Sequence, residues 1–203
     1  MDRRSLLTNG AAAAFGALAL TAVTSGNAEA AAADWYGGRG LHPDPASTPV
    51  PNPPFPHGLN RAERHELETL DTLDFDVFTN QKWNRLKESH AQNIRVHWPD
   101  GHYTDGIDKH IEDLKGLFAW APDTRIHSHY LRLATDELSA VAGVMQGTFT
   151  RPMPDGNGGF IQPTGKKYSI NMATIGIWNK RGTMDEEFLF WDNKTFFGQI
   201  GLG

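Results

Sequence analysis

The chain predicts an α+β domain in which helices come first and a curved antiparallel sheet follows, its concave side forming a cone-like cavity. Three observations carry this. Apolar residues recur at helical spacing between about residues 61 and 120; from Arg125 onward the pattern turns to long β-rich runs; and most of those runs are joined by short turn-like gaps. With 203 residues, 39% hydrophobic and 10% aromatic, the chain can bury the core of one domain.

The N-terminus stands apart. Arg3-Arg4-Ser5-Leu6-Leu7 followed by an Ala/Gly/Leu-rich run to Val23 reads as a twin-arginine export signal over 1–30, with Ala28-Glu29-Ala30 as cleavage site. The apolar run from Gly10 to Val23 is shorter than the roughly 20 residues a spanning helix needs, so no stable membrane insertion is expected once the signal is removed. The expected destination is the periplasm or the exterior. Residues 31–60 hold Trp35, Tyr36 and seven prolines from Pro43 to Pro56; proline fixes φ and removes a donor, which predicts an extended arm or linker. Two readings of it stay open, a solvated spacer or an arm packed over a pocket or a partner through Trp35, Tyr36 and Phe55.

The domain proper is expected over 61–203. Arg61 to Leu70 is charged with few helix breakers. Asp74 to His90 spaces Phe75, Phe78, Trp83 and Leu86 as an amphipathic helix would. Asn93 to Trp98 is a short strand ending at the Pro99-Asp100-Gly101 turn, and Ile107 to Trp120 is a second amphipathic helix with Ile107, Ile111, Leu114, Leu117 and Phe118 on one stripe. Strands follow at Arg125 to Ala134, Ser139 to Thr150, Tyr168 to Trp178 and Met184 to Trp191, with one long Gly/Pro-rich loop from Pro152 to Gly165. Lys194 to Ile200 closes the chain as a short helix.

Composition narrows the function. The net charge is −5, and removal of residues 1–30 takes away two charges of each sign, so no basic surface remains to release counterions from a nucleic acid. The chain has no cysteine, which excludes disulfides, thiolate metal sites and a cysteine nucleophile.

The strand that runs into Asp192 is the most informative stretch. Asp192 could cap the helix after it, or, buried beside Phe188, Phe190 and Trp191, act as a general acid/base with a raised pKa. Glu186 shares strand parity with Phe188 and Phe190, whereas Glu187 points the other way with Leu189 and Trp191; only one of the two can face the cavity. Each glutamate could instead pair with Lys166, Lys167 or Arg181 across the sheet. His97 and Trp98 could line the cavity mouth, His97 equally well as a structural histidine. His127 and His129, two apart on a strand, would share a face; with His97 or His102 and Glu186 they could make a metal site, but two neutral histidines lining a polar cavity is the preferred reading and no metal is expected. Met145, Phe149, Met172, Trp178 and Trp191 read as cavity wall or core.

The order Ile94-Arg-Val-His97-Trp-Pro-Asp-Gly101, Gly106, Ala121-Pro122-Asp123, Gly147-Thr148-Phe149, Pro163-Thr164-Gly165-Lys166, Glu186-Glu187-Phe-Leu-Phe-Trp191-Asp192 and Gln199-Ile-Gly-Leu202 resembles the SnoaL-like polyketide cyclase (ester cyclase) family of the NTF2-like superfamily, over roughly Asp74 to Gly203. The resemblance implies a cone-shaped α+β barrel, commonly a homodimer, with a cavity for a hydrophobic small molecule and no required cofactor. It also implies a strand-end aspartate, here Asp192, acting as general acid/base in an aldol ring closure; from the reading of the residues, Glu186 and His97 are the further catalytic candidates, and Trp98, His127, His129, Met172, Trp178, Phe188 and Phe190 are the candidates to line the substrate site. One departure is plain: close relatives often place histidine immediately before Trp178, and this chain has Ile177. The expected function is an exported small-molecule enzyme using carboxylate acid/base chemistry on a hydrophobic carbonyl compound, of aldol cyclase, isomerase or lyase type. The alternative is a non-catalytic periplasmic binding module of the same fold.

Overall fold

The computed structural model describes residues 52–203; the expected export signal at 1–30 and residues 31–51 of the arm lie outside the described residues. Helix α1 (Arg61–Thr72) starts at a capping box: the Asn60 side chain accepts the Glu63 amide, and the Glu63 carboxylate accepts the Asn60 amide. Its inner stripe is Glu66, Leu67 and Leu70.

The single helix expected from Asp74 to His90 is two short pieces, a π-helical turn (Leu73–Phe78) and a 3-10 turn (Trp83–Glu88). The Thr79 hydroxyl donates to the Asp74 carbonyl, and Gln81 adopts a positive φ of 54°, so the chain reverses before Trp83. The wider π turn places Leu73, Asp74, Val77 and Phe78 all inward. Helix α2 (Ile107–Trp120) matches its expected range, and its buried stripe includes a histidine, His110.

One six-stranded sheet holds β1 (His90–His97), β2 (Tyr103–Asp105), β3 (Arg125–Thr135), β4 (Leu138–Thr148), β7 (Lys167–Trp178) and β8 (Met184–Trp191) in the order β2-β1-β8-β7-β4-β3. All pairings are antiparallel except β1 with β8. The long loop carries its own small hairpin, β5 (Met153–Pro154) with β6 (Phe160–Ile161), and α3 (Asn193–Gln199) closes the chain.

Register irregularities interrupt β1, β3 and the β7/β8 pair. Such bulges bend strands and add twist, which curves the sheet around α1 and α2. The concave face packs Ile94, Val96, Trp98, Val141, Met145, Ile170 and Met172 against Leu67, Leu70, Val77, Leu114 and Phe118. Polar groups are buried there too, among them Asp74, His90, His110, His129, Arg132 and Glu187.

Candidate active site

Those inward polar groups form two neighbouring clusters. The first is centred on His129, which is 0% exposed. Its Nδ1 lies 2.8 Å from Asp71 Oδ1 and its Nε2 lies 2.7 Å from Asp74 Oδ2. The spacing of Asp71 and Asp74 on consecutive helical turns puts both carboxylates on the side facing β3. Arg132, 2% exposed at its side chain, donates from Nε and Nη2 to the two Asp71 oxygens, and from Nη1 to the carbonyls of Pro53 and His129. The end of the arm lies over this cluster: Asn52 Oδ1 accepts from the Arg132 guanidinium and from the His129 amide, and the Arg132 guanidinium sits 5.2 Å from the Phe55 ring centre.

The electrostatics follow from that geometry. Burial works against ionising Asp71, but hydrogen bonds from His129 and Arg132 outweigh it and hold Asp71 below the usual carboxylate range. Burial pushes Asp74 up, and the charges of Glu187 and Asp71 add to the rise against the hydrogen bond from His129. His129 is raised: its two carboxylate partners overcome the cost of burying an imidazolium. A proton between Asp74 and His129 Nε2 can therefore sit on either partner, while Asp71 fixes Nδ1 as a donor. The Asp71 side chain keeps 19% exposure and that of Asp74 9%, so Asp74, the carboxyl with the raised pKa, is the more enclosed of the two on His129.

The second cluster joins three chain segments. Glu187 Oε2 lies 3.3 Å from His90 Nε2 and 3.5 Å from His110 Nε2, and the three residues are all buried. His90 Nδ1 contacts the Ser89 hydroxyl at 2.8 Å and the Leu86 carbonyl at 3.2 Å. The neighbouring Trp98 ring is 5.7 Å from that of His110. Burial, reinforced by the charge of His90, keeps His110 neutral well below its ordinary range.

The sequence-predicted residues divide between the two faces. Trp98, His129, Met172 and Trp178 are buried on the concave side, Trp178 donating from Nε1 to the Ser139 hydroxyl at 2.6 Å. Glu186, His97, Phe188 and Phe190 are on the convex side: His97 Nε2 lies 3.1 Å from Glu186, its ring stacks on Phe188 at 4.1 Å, and Phe190 is 49% exposed. His127 is exposed and does not share a face with His129, because the bulge between Ile126 and His129 inserts one residue and reverses the alternation.

Asp192 is the N-cap of α3. Its Oδ1 accepts the Lys194 amide at 2.9 Å and its Oδ2 accepts from the Thr195 hydroxyl at 2.6 Å. The Thr195 bond, with the backbone amides behind it, holds the carboxyl below its ordinary value, opposite to what a general acid needs. The expected catalytic set of Asp192, Glu186 and His97 thus does not converge: two of its members share the outer face and the third turns to a helix end.

Sequence reading passed over Asp71, Asp74, His90, His110 and Arg132, and left open which of Glu186 and Glu187 faces inward. Two signals were present. His110 falls on the stripe of Ile107, Leu114 and Leu117, and Glu187 has the parity of Leu189 and Trp191.

The comparisons with known proteins bear on the family and the fold. The SnoaL-like polyketide cyclase family model matches residues 69–200, and the chain belongs to that family. A search of curated proteins returned no match. Among solved structures, a protein of Jannaschia sp. CCS1 assigned to the SnoaL-like polyketide cyclases superposes with a TM-score of 0.62 at 18% identity, covering 71% of this chain and 97% of that one. IdmH of Streptomyces antibioticus, assigned as a polyketide cyclase, superposes with a TM-score of 0.56 at 21% identity over 67% of this chain and 98% of its own. AclR of Streptomyces galilaeus, assigned as a hydroxylase, gives 0.55 at 13% identity over 68% and 81%. At these identities the likeness is one of fold, a mixed α+β domain with a curved, mainly antiparallel sheet.

Proposed function

We propose that the protein is a small-molecule enzyme of the cyclase, isomerase or lyase type, and that Asp74, not Asp192, is its general acid/base toward a hydrophobic carbonyl compound. The observation that supports this reading is the Asp71–His129–Asp74 chain. A carboxyl with a raised pKa, backed by an imidazole that can take or return its proton, is suited to removing a proton next to a carbonyl and then protonating the alkoxide formed. Arg132 and the Asn52–Phe55 segment keep the chain buried and oriented.

The test needs no knowledge of the natural substrate. Exchange of the α-proton of simple aromatic β-keto esters for deuterium, followed by NMR in D2O, should proceed above background with the wild type and with Asp192→Asn, and fall to background with Asp74→Asn. Exchange that survives Asp74→Asn would remove this assignment; no exchange in any protein would leave binding without turnover. The reading includes export, on the strength of Arg3-Arg4, and a homodimer through the convex face, where Ile175, Ile177, Phe188 and Phe190 lie. Fractionation of expressing cells and sedimentation of the purified domain test those two points.

A further inference from the structure

We infer that His90, His110 and Glu187 form a binding site for one divalent transition-metal ion, beside the acid/base triad and independent of its assignment. The three side chains come from β1, α2 and β8, and each turns one ligand atom to a common point, all of these atoms within 4.8 Å of one another. A tetrahedral ion with bonds of about 2.0–2.1 Å keeps its ligand atoms about 3.3–3.4 Å apart. The observed separations from Glu187 Oε2 are 3.3 Å to His90 Nε2 and 3.5 Å to His110 Nε2. These are long for charge-assisted hydrogen bonds, which run at about 2.7–2.9 Å, and right for two ligands of one ion.

The proton arrangement points the same way. The Leu86 carbonyl can only accept, and the Ser89 hydroxyl already donates to it, so His90 carries a proton on Nδ1, and in the neutral ring Nε2 is the lone pair turned toward Glu187. An imidazole oriented through its far nitrogen by a backbone carbonyl is the usual outer support of a metal ligand. His110 Nδ1 is buried with no partner among the described residues, where that ring is held by the packing of Trp98 and His90 and by whatever engages Nε2. With the ring neutral, that lone pair facing a carboxylate oxygen inside a protein is costly unless a cation lies between them.

The charge of the ligand set suits a cation too. The one carboxylate among the ligands, Glu187, would offset half the charge of a dipositive ion. A cleft of about 290 Å³ between α1 and the 3-10 turn is lined by Glu68, Glu88 and Ser89 and by none of the three ligand residues, so an ion reaches them only when this part of the fold opens. Two imidazoles and one carboxylate leave further positions for water or a carbonyl oxygen, and this nitrogen-rich set selects zinc, iron or cobalt over magnesium or calcium.

The test uses the metal alone. Protein purified without an affinity tag and stripped with chelator is titrated with Zn(II) by calorimetry and with Co(II) by visible absorption. The expected result is one ion per chain, a Co(II) ligand-field band displaced by Zn(II), and a rise in Tm on loading. Glu187→Gln and His110→Asn should each weaken binding by more than the roughly 10–100-fold that loss of an outer partner costs, while His97→Asn leaves it unchanged. Circular dichroism of each stripped variant checks that the fold is kept. No stoichiometric binding by the folded wild type, or binding of the same affinity in folded Glu187→Gln and His110→Asn, would overturn the site. Neither result bears on Asp74, whose exchange assay is separate.

Discussion

Glu186 and Glu187 are neighbours in the chain and face opposite sides of the sheet: Glu187 is 3% exposed against His90 and His110, and Glu186 pairs with His97 on the convex surface. The ion pair on the outside is half in water, where such pairs contribute about 0–1 kcal/mol. Glu186→Gln should therefore change stability by less than about 1 kcal/mol. Asp71→Ala, which strips the buried Arg132 and His129 of their carboxylate, should cost about 3–5 kcal/mol. Urea unfolding of the two variants at neutral pH measures the contrast, and equal costs would contradict the assignment of faces.

Asp192→Ala removes a cap and nothing from the interior. The loss should be about 0.5–2 kcal/mol, and at about 2–4 °C per kcal/mol for a domain of this size it is readable as a lower Tm. Because the folded state lowers the Asp192 pKa, the cap's contribution is present above the unfolded value of about 3.8 and fades as pH falls through the folded one. Wild type and variant should converge in Tm in strong acid and separate at pH 7.

Glu66 gives a pH dependence of the opposite sign. It is 2% exposed, its Oε2 has no partner among the described residues, and burial, helped by the charges of Glu63 and Asp136, pushes it up to about 7. A carboxyl raised on folding favours the protonated native state; that contribution is complete below the unfolded value of 4.5 and is lost as pH rises toward and through 7. Glu66→Gln should raise Tm at pH 8 and leave it nearly unchanged at pH 4. An equal Tm gain at both pH values would show that the carboxyl is not the cause.

His129 should titrate above 6.5 by NMR of the labelled ring, and Asp71→Asn should lower its midpoint. The groups facing it are Asp71 and Asp74, with Arg132 behind Asp71 and Glu187 acting through Asp74. The raised value means that His129 stabilises the fold fully below 6.5 and that this contribution is lost as pH climbs through the folded pKa.

Gly143 guards the same histidine. A Cβ there would meet the Ser128 carbonyl oxygen at 2.5 Å and His129 Cδ2 at 3.0 Å, so the backbone of β3 would have to shift. Gly143→Ala should destabilise by about 1–3 kcal/mol and move the His129 ring signals, a combination that a change of strand propensity alone does not produce.

How much of this was legible depends on what each residue's placement requires. The strand from Met184 to Trp191 and the helix from Ile107 to Trp120 were readable in full, because burial imposes periods of two and 3.6 on the sequence itself. The alternation in β8 already separated Glu186 from Glu187, and only the position of the covering helices was needed to say which was inside. The split of the 74–90 segment was not readable, since a π turn buries the same residue types as an α-helix and depends on a tertiary bond from Thr79. The parting of His127 from His129 was hidden for a related reason: a bulge leaves no composition signal. The two interior clusters join residues 55 to 97 positions apart, and their pairing exists only once the sheet has closed.

The strap of Asn52 across β3 has a consequence beyond the triad. β3 is the last strand of the sheet, and two of its amides are occupied by side chains, Ile126 donating to Thr79 Oγ1 and His129 to Asn52 Oδ1. An edge bent by bulges and stoppered in this way is a poor template for another chain's strand, while the opposite edge is the three-residue β2. The molecule is thereby protected against edge-to-edge polymerisation at both margins of its sheet, and the segment that completes one of those margins is the one that would trail behind an export signal.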